Sequence, residues 1–361
     1  MVQSLKYGLN YPPLTDIFTQ YQSHYRIHIE NTELEFMRNI NGINVLSLFD
    51  EAKILSFLEN STIQIETGRR LIFSTIASKA YVKTLEKCLS SAIYHGVEKK
   101  QIMIFALDEE TIQFCQSIDI FCVRMNYETI FKHSWFIVGH LKQAIQYYIA
   151  CHNCDLLFFD SDIAFLNNFK SNLLSHPSCD IQITDECKEP RKEINVAKLN
   201  IYNIGFMYVK PTRSTRALFR KWMKREYGVE RLWDQGIFNQ EMISQCRIIA
   251  RDQNEKSVTY QFYYENETYT MKFHIVDPVK YINYCSLIHN KHGTSFIPDK
   301  FQRLMQFARE KNVSKPSFVH FACVQGQHKF NIMEKIEYTD ANYDYLFKLF
   351  SNFEWMPYKD D

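Results

Sequence analysis

The stretch that decides the fold is Cys154-Asp155-Leu156-Leu157-Phe158-Phe159-Asp160-Ser161-Asp162-Ile163-Ala164-Phe165-Leu166. It is an apolar run that ends in two carboxylates one residue apart and then becomes apolar again. A short apolar run between polar residues is typical of a strand buried in the middle of a sheet. The pattern therefore predicts Asp160 and Asp162 at a strand end, where a buried carboxylate must be paired or must bind a metal.

The spacing of these two carboxylates suits a divalent cation. Side chains at positions i and i+2 of an extended chain point to the same side. Oxygen ligands on one side of an otherwise open coordination shell suit Mg²⁺ or Mn²⁺ carrying a diphosphate. An Asp-Ser-Asp turn after a strand has the same sequence, so the stretch alone leaves both interpretations open.

Strands and helices alternate on both sides of the acidic pair. Strands are predicted at 71–76, 101–106, 118–123, 179–184, 200–209 and 317–321, with a β-rich section at 259–276. Helices are predicted at 81–94, 133–150, 212–227, 234–244 and 301–311. The pattern predicts an α/β fold with a mixed, mainly parallel sheet flanked by helices. The sequence has neither the Gly-x-Gly-x-x-Gly fingerprint of dinucleotide-binding domains nor the Walker loop of P-loop proteins, so neither class of protein is indicated.

The N-terminal residues differ from the rest in pattern. We predict an N-terminal, partly helical extension over residues 1–67 and a main domain over residues 68–361. Apolar positions between Leu34 and Leu58 suit one amphipathic helix. The extension carries no recognisable chemistry.

Composition excludes several classes of partner. The 42 basic and 41 acidic residues give a net charge of +1, so no basic field favours nucleic acid. No window approaches the roughly 18 to 20 apolar residues of a membrane span. We expect a cytoplasmic protein, or a Golgi-lumenal one if an anchor precedes this sequence. Cys151-x-x-Cys154 lacks a second Cys/His pair and is interpreted as structural thiols.

Three further motifs follow the acidic pair in order: Asn203-Ile204-Gly205-Phe206-Met207-Tyr208-Val209-Lys210-Pro211, Trp233-Asp234-Gln235-Gly236-Ile237-Phe238-Asn239, and His320 with Gly326-Gln327-His328-Lys329. From about Arg70 to about Lys335 the ordered set resembles the nucleotide-diphospho-sugar transferase family. That family has the GT-A fold and is related to the family 77 and family 8 retaining glycosyltransferases.

The resemblance implies a metal site and a diphosphate site. Asp160, Asp162 and His320 would hold Mn²⁺ (or Mg²⁺), while Lys329 and Gly326 would lie at the donor diphosphate. Without the resemblance, His320 is a satisfied polar residue and Lys329 a surface lysine. The gap between His320 and Gly326 is longer than in the family 8 relatives.

The resemblance also implies residues at the sugar and at the reacting centre. Asn203, Gly205 and Asp185 would contact the donor sugar, although a β-bulge and a strand-end cap are the structural alternatives. Gln235 would face the anomeric carbon and Asp234 would bind sugar hydroxyls. Asp234 is equally a good helix N-cap.

Residues at strand ends and on the helix before the acidic strand are predicted to contact the nucleotide. Thr75, Asp108, Lys142 and Ser161 are the predicted nucleotide contacts. An exposed helix lysine is the alternative interpretation of Lys142.

The resemblance implies a metal-dependent retaining glycosyltransferase that moves a hexosyl or pentosyl group from a UDP-sugar to a hydroxyl of a glycan, protein or small molecule. Two alternatives remain: a catalytically silent nucleotide-sugar-binding module, and a metal-dependent nucleotidyl or phosphoryl transfer enzyme.

Overall fold

The computed structural model describes residues 31–60, 68–129, 137–186, 189–196, 201–227, 233–288, 296–324 and 326–353. Residues 1–30 and 61–67 of the predicted extension, and residues 133–136 at the start of a predicted helix, lie outside this described part. The predicted boundary between the N-terminal extension and the main domain, at residue 67, therefore stays a prediction.

The predicted helix over 34–58 is wrong as a single element. Helix α1 spans Asn31–Arg38, a 3₁₀ turn spans Val45–Leu48, and helix α2 spans Glu51–Asn60. Asn41 and Gly42, with φ values of 53° and 84°, form a two-residue turn between the hydrogen-bonded Ile40 and Ile43, and this turn separates α1 from the 3₁₀ turn. The apolar residues of this stretch nevertheless face the core, because Met37, Leu48 and Ile54 are fully buried against the main sheet.

The main sheet has nine strands in the order β3-β2-β1-β4-β7-β6-β10-β9-β8. Strands β1 to β4 are parallel neighbours, as are β6 and β10, whereas β7 and β9 run antiparallel to their neighbours. Their bounds are β1 Arg70–Ala77, β2 Ile102–Ala106, β3 Phe121–Arg124, β4 Cys154–Phe159, β6 Ile181–Asp185, β7 Tyr202–Val209, β8 Arg247–Asp252, β9 Ser257–Tyr264 and β10 Glu267–Ile275. The mixed, mainly parallel sheet predicted from the sequence is confirmed.

Helices pack around this sheet, and apolar cores lie on its two faces. Their bounds are α3 Val82–Tyr94, α4 Glu109–Ser117, α5 Ile137–Cys151, α6 Lys170–Leu174, α7 Arg213–Glu226, α8 Asp234–Ile237, α9 Pro298–Glu310, α10 Gly326–Glu334 and α11 Tyr343–Ser351. The predicted helix over 234–244 is α8 followed by a π-helical turn over Phe238–Ile243. Within the described segments, no helix is both long and apolar enough to cross a bilayer.

A second, three-stranded sheet positions the C-terminal histidine. It has the order β11-β12-β5, with β5 at Ile163–Phe165, β11 at Tyr281–Asn283 and β12 at Phe318–His320. Strand β5 begins directly after the acidic pair, and antiparallel pairing sets His320 opposite Ile163. This pairing joins two parts of the sequence that are far apart.

Candidate active site at the end of the acidic strand

A cavity of about 1080 Å³ opens at the carboxyl end of β4. Its walls hold most of the residues that the sequence predicted for the site: Lys142, Asp160, Asp162, Asn203, Gly205, Asp234, Gln235, His320 and Lys329. A site at this end of the central strands is the usual arrangement in α/β sheets.

Asp160, Asp162 and His320 form a compact group of metal-ligand atoms. The Nε2 atom of His320 lies 3.3 Å from Oδ1 of Asp162 and 3.6 Å from Oδ2 of Asp160. The three ligand atoms are all within 4.8 Å of one another. Oδ1 of Asp162 and Nε2 of His320 are buried without a hydrogen bond of good geometry. Buried polar atoms normally have a partner, so these residues fit a divalent cation.

The carboxylates of this group are ionised, and His320 carries a proton. Burial opposes the ionised form of Asp162, but Lys329 and His320 outweigh it and lower its pKa. Burial likewise opposes ionisation of Asp160, and Lys142 and His320 lower its pKa. Burial disfavours the charged form of His320, but Asp162 and Asp160 raise its pKa to about 9. Both carboxylates are therefore ionised at neutral pH, whereas His320 would release its proton on binding a cation.

The backbone at Gly205 leaves room for these side chains. Strand β7 runs beside β4, and the amide of Asp160 donates to the carbonyl of Gly205 over 2.8 Å. A Cβ atom at position 205 would lie 2.2 Å from Cε1 of His320 and 2.7 Å from Oδ2 of Asp160. Oδ1 of Asn203 accepts the amide of Gly205 at 2.9 Å and fixes this local backbone.

Lys329 lies on helix α10 and pairs with Asp162 of the metal-ligand group. Its Nζ is 2.5 Å from Oδ2 of Asp162, and its side chain is 11% exposed. Burial disfavours its charge, yet Asp162 raises its pKa, so it remains an ammonium. A buried ammonium beside the metal ligands fits a counter-charge to a diphosphate.

Lys142 lies on helix α5 and is a buried residue, not an exposed helix lysine. Its Nζ is 2.7 Å from Oδ1 of Asp160 and 3.6 Å from Oδ2 of Asp234. Burial opposes its charge, but Asp160 and Asp234 raise its pKa. Lys142 thus connects the predicted metal site with the predicted catalytic pair.

Asp234 and Gln235 are the first two residues of α8, with Trp233 as the N-cap residue. Asp234 packs against the backbone of helix α5, where a Cβ at Gly139 would lie 3.1 Å from the Cβ of Asp234. Oε1 of Gln235 accepts the amide of Ile204 at 3.3 Å, which holds Gln235 against strand β7.

Sequence reasoning selected Asp185 but missed its neighbour Glu186. Asp185 forms a 2.9 Å ion pair with Arg191, and burial raises its pKa to about 6. Glu186 lines the cavity, and its Oε2 accepts from Nδ2 of Asn203 at 2.5 Å. Glu186 follows the last residue of β6, just beyond a register shift between Ile183 and Thr184 that no sequence pattern reports.

The remaining predicted residues lie outside the described cavity lining. Thr75 is fully buried within β1. Asp108 caps α4, accepting from the amide of Thr111 at 2.9 Å. Ser161 lies in the turn between Asp160 and Asp162, and Gly326 is the first residue of α10. Their predicted contacts with nucleotide or diphosphate stay predictions.

The family model for nucleotide-diphospho-sugar transferases matches residues 98–333. This region includes the cavity, the metal-ligand group and both buried lysines. The chain belongs to the nucleotide-diphospho-sugar transferase family, a family of glycosyltransferases. No curated protein matches the chain.

Several solved structures of glycosyltransferases are similar to the chain. The galactosyltransferase LgtC, solved with donor and acceptor sugar analogues, is 13% identical, with 72% of this chain and 94% of that chain covered and a TM-score of 0.42. Mouse xyloside xylosyltransferase 1 is 12% identical, with 70% and 98% covered and a TM-score of 0.39. The bifunctional glycosyltransferase WbbM is 11% identical, with a TM-score of 0.44; the match covers 81% of this chain and spans about half (51%) of WbbM.

Proposed function

We propose that the protein is a metal-dependent retaining glycosyltransferase that moves a sugar from a UDP-sugar to a hydroxyl acceptor. The proposal rests on one observation. In a single cavity, the side chains of Asp160, Asp162 and His320 lie close together, beside the buried ammonium of Lys329. Two anionic ligands with a nearby fixed cation suit a diphosphate that enters with its metal ion.

Asp160, Asp162 and His320 would hold Mn²⁺ or Mg²⁺, which supplies Lewis acidity to the leaving diphosphate. Lys329 would bind the diphosphate and offset its developing charge. Its present partner is Asp162, so a bound cation would release Lys329 toward the phosphates.

Gln235 and Asp234 would lie at the reacting centre. Gln235 carries an amide, which is a poor nucleophile, so we favour displacement on one face over a covalent intermediate on this side chain. The incoming hydroxyl would give its proton to the leaving phosphate. Asp234 would bind sugar hydroxyls, with its charge balanced by Lys142.

Asn203 and Glu186 would form the sugar side of the cavity. The amide of Asn203 is hydrogen bonded to the Glu186 carboxylate, so the two side chains present a fixed polar surface to hydroxyl groups. We assign to Glu186 the contact with the donor sugar that the sequence predicted for Asp185.

The experiment is UDP release from a panel of UDP-sugars without acceptor, with Mn²⁺ and with a chelator. Slow hydrolysis of one donor that stops on chelation would support the proposal and identify the sugar. Absence of hydrolysis together with absence of Mn²⁺-dependent UDP binding in calorimetry would refute it in favour of a silent module. Binding without hydrolysis would be followed by the same assay with acceptor sugars, where persistent inactivity also refutes catalysis.

A further inference from the structure

A second set of metal-ligand atoms lies in the same cavity, apart from Asp160, Asp162 and His320. Cys285 and Cys323 form a disulfide with a Cα–Cα distance of 5.2 Å. Both residues and Glu186 line the cavity. The two Sγ atoms and a carboxylate oxygen of Glu186 all lie within 4.8 Å of one another.

The carboxylate of this second set is already held in position. Its Oε2 atom accepts from Nδ2 of Asn203 at 2.5 Å and from Nδ2 of Asn283 at 3.3 Å. Two amide donors fix the acceptor oxygen beside the sulfurs, as outer hydrogen bonds orient the ligands of metal sites.

The two cysteines connect two neighbouring segments that line the cavity. Cys285 lies in the 3₁₀ turn over Tyr284–Leu287 that follows β11, and Cys323 lies three residues after His320. The neighbouring strands β11 and β12 pair Asn283 with His320, so these two loops remain close when the disulfide is open.

We propose that reduction of the Cys285–Cys323 disulfide creates a binding site for a thiophilic divalent cation such as Zn²⁺, with both thiolates and Glu186 as ligands. Two sulfurs and one carboxylate leave a fourth tetrahedral position for water, an arrangement that Zn²⁺ adopts. Tetrahedral Zn–S bonds of about 2.3 Å separate two sulfurs by ~3.8 Å. Rotation of the two cysteine side chains provides this separation.

Reduction of the disulfide needs an external reductant, a dithiol such as dithiothreitol. The dithiol loses two electrons and two protons and becomes a cyclic disulfide, while the Cys285–Cys323 bond gains them and becomes two thiols. Binding of Zn²⁺ then displaces the two thiol protons to solvent.

The site would make the cavity sensitive to redox state. Because Glu186 and Asn203 form the proposed sugar side, an ion bound there would occupy the space of the donor sugar; this consequence rests on the proposed function. The ion-binding step does not depend on it.

The test uses Co²⁺ as a spectroscopic substitute for Zn²⁺, because a cobalt–thiolate bond gives a charge-transfer absorption that carboxylate and imidazole ligands do not. The full chain is titrated with Co²⁺ in excess Mg²⁺, once oxidised and once after reduction and removal of the dithiol. We expect the band at one Co²⁺ per chain in the reduced protein and its absence in the oxidised protein. Added Zn²⁺ should abolish it.

Three variants identify the ligands. Cys285→Ser and Cys323→Ser should each lose the band after reduction, and Glu186→Gln should weaken Co²⁺ binding at least about 10-fold. Cys122→Ser is the matched control, because Cys122 lies beside Cys115 as another close pair of thiols, and it should keep the band. Circular dichroism checks that each reduced variant is folded.

A reduced, folded wild-type protein without the band would overturn the proposal. So would a band that survives in both serine variants, or an unchanged Co²⁺ affinity in Glu186→Gln. None of these readouts uses transferase activity, so they are independent of the UDP-release result.

Discussion

The imidazole of His320 occupies the space that a side chain at position 205 would need. A Cβ at Gly205 would lie 2.2 Å from Cε1 and 2.8 Å from Nε2 of His320, distances that no real contact tolerates. Glycine at this position is therefore a steric requirement of the metal-ligand group. Its φ is not in the left-handed region, so backbone freedom is not the reason.

Gly205→Ala should separate the metal ligands without unfolding the protein. The added methyl group must displace His320 or Asp160, and we expect Mn²⁺ affinity to fall by about 10- to 100-fold, the range seen when support around a metal site is lost. Isothermal titration with Mn²⁺ measures the change. Gly236→Ala is the matched control, because its Cβ would be 3.4 Å from Cε3 of Trp233, an ordinary contact. Equal Mn²⁺ affinities in the two variants would contradict this account.

The sequence indicated Gly205 and His320 separately, but not their contact. Hydrophobic periodicity predicted the two strands that carry them, because each strand is a short apolar run. Their proximity depends on β12 pairing with β5, and local periodicity carries no information about pairing between such distant segments. Only the family resemblance placed His320 with the acidic pair.

Lys142→Met should destabilise the metal-free protein. The substitution leaves Asp160 and Asp234 without the ammonium between them, and breaking a buried ion pair in this way costs about 3 kcal/mol or more. Denaturant unfolding measures the loss. Mn²⁺ should recover part of it, because a bound cation again offsets the charge of Asp160.

The matched control for Lys142 is Lys79→Met. The side chain of Lys79 is 67% exposed and pairs with Glu110, so its removal should change stability by less than about 1 kcal/mol. Similar losses in both lysine variants would contradict a special role for the buried pair.

The sequence pattern did not predict that Glu186, and not Asp185, lines the cavity. Asp185 is the last residue of β6 and pairs with Tyr202, whereas Glu186 follows the strand. Between Ile183 and Thr184 the partner on β7 changes from Met207 to Asn203, so three residues of β7 have no partner on β6 there. Two neighbouring acidic residues at a strand end give no means of choosing between them without the structure.

Lys329→Met should separate catalysis from metal binding. The ammonium now pairs with Asp162, so its removal should leave Mn²⁺ affinity equal or higher. Loss of the counter-charge to the diphosphate should lower kcat by about 10²- to 10³-fold, as for other fixed electrostatic groups. Lys348→Met, on the exposed side of α11, should leave both quantities unchanged. Weaker Mn²⁺ binding in Lys329→Met would show that Lys329 supports the ligands instead of the diphosphate.

Glu226 is the last residue of α7 and is buried, close enough to Asp234 to feel its charge. Burial and the charge of Asp234 raise its pKa from the usual 4.5 to about 8, although Gln143, Trp222 and Lys142 act in the opposite direction. The Nδ1 atom of His140 is 3.8 Å from Oε1 of Glu226.

The raised pKa of Glu226 predicts a loss of stability at alkaline pH. A carboxyl that holds its proton more tightly in the folded state stabilises that state fully below pH 4.5, and this contribution is lost as the pH rises through about 8. Between pH 6 and pH 9 the loss from this group is roughly 2 to 3 kcal/mol. Glu226→Gln, which resembles the protonated form and cannot ionise, should be more stable than the wild type at pH 9 and should lack this part of the pH dependence.

Denaturant unfolding at pH 6 and pH 9 measures the difference between the two proteins. Glu110→Gln is the matched control, since that side chain is 57% exposed and should leave the pH dependence unchanged. If wild type and Glu226→Gln lose the same stability over this pH range, Glu226 is ionised in the folded protein. The negative charge near Asp234 would then add to that of Asp160, and Lys142 would balance three carboxylates instead of two.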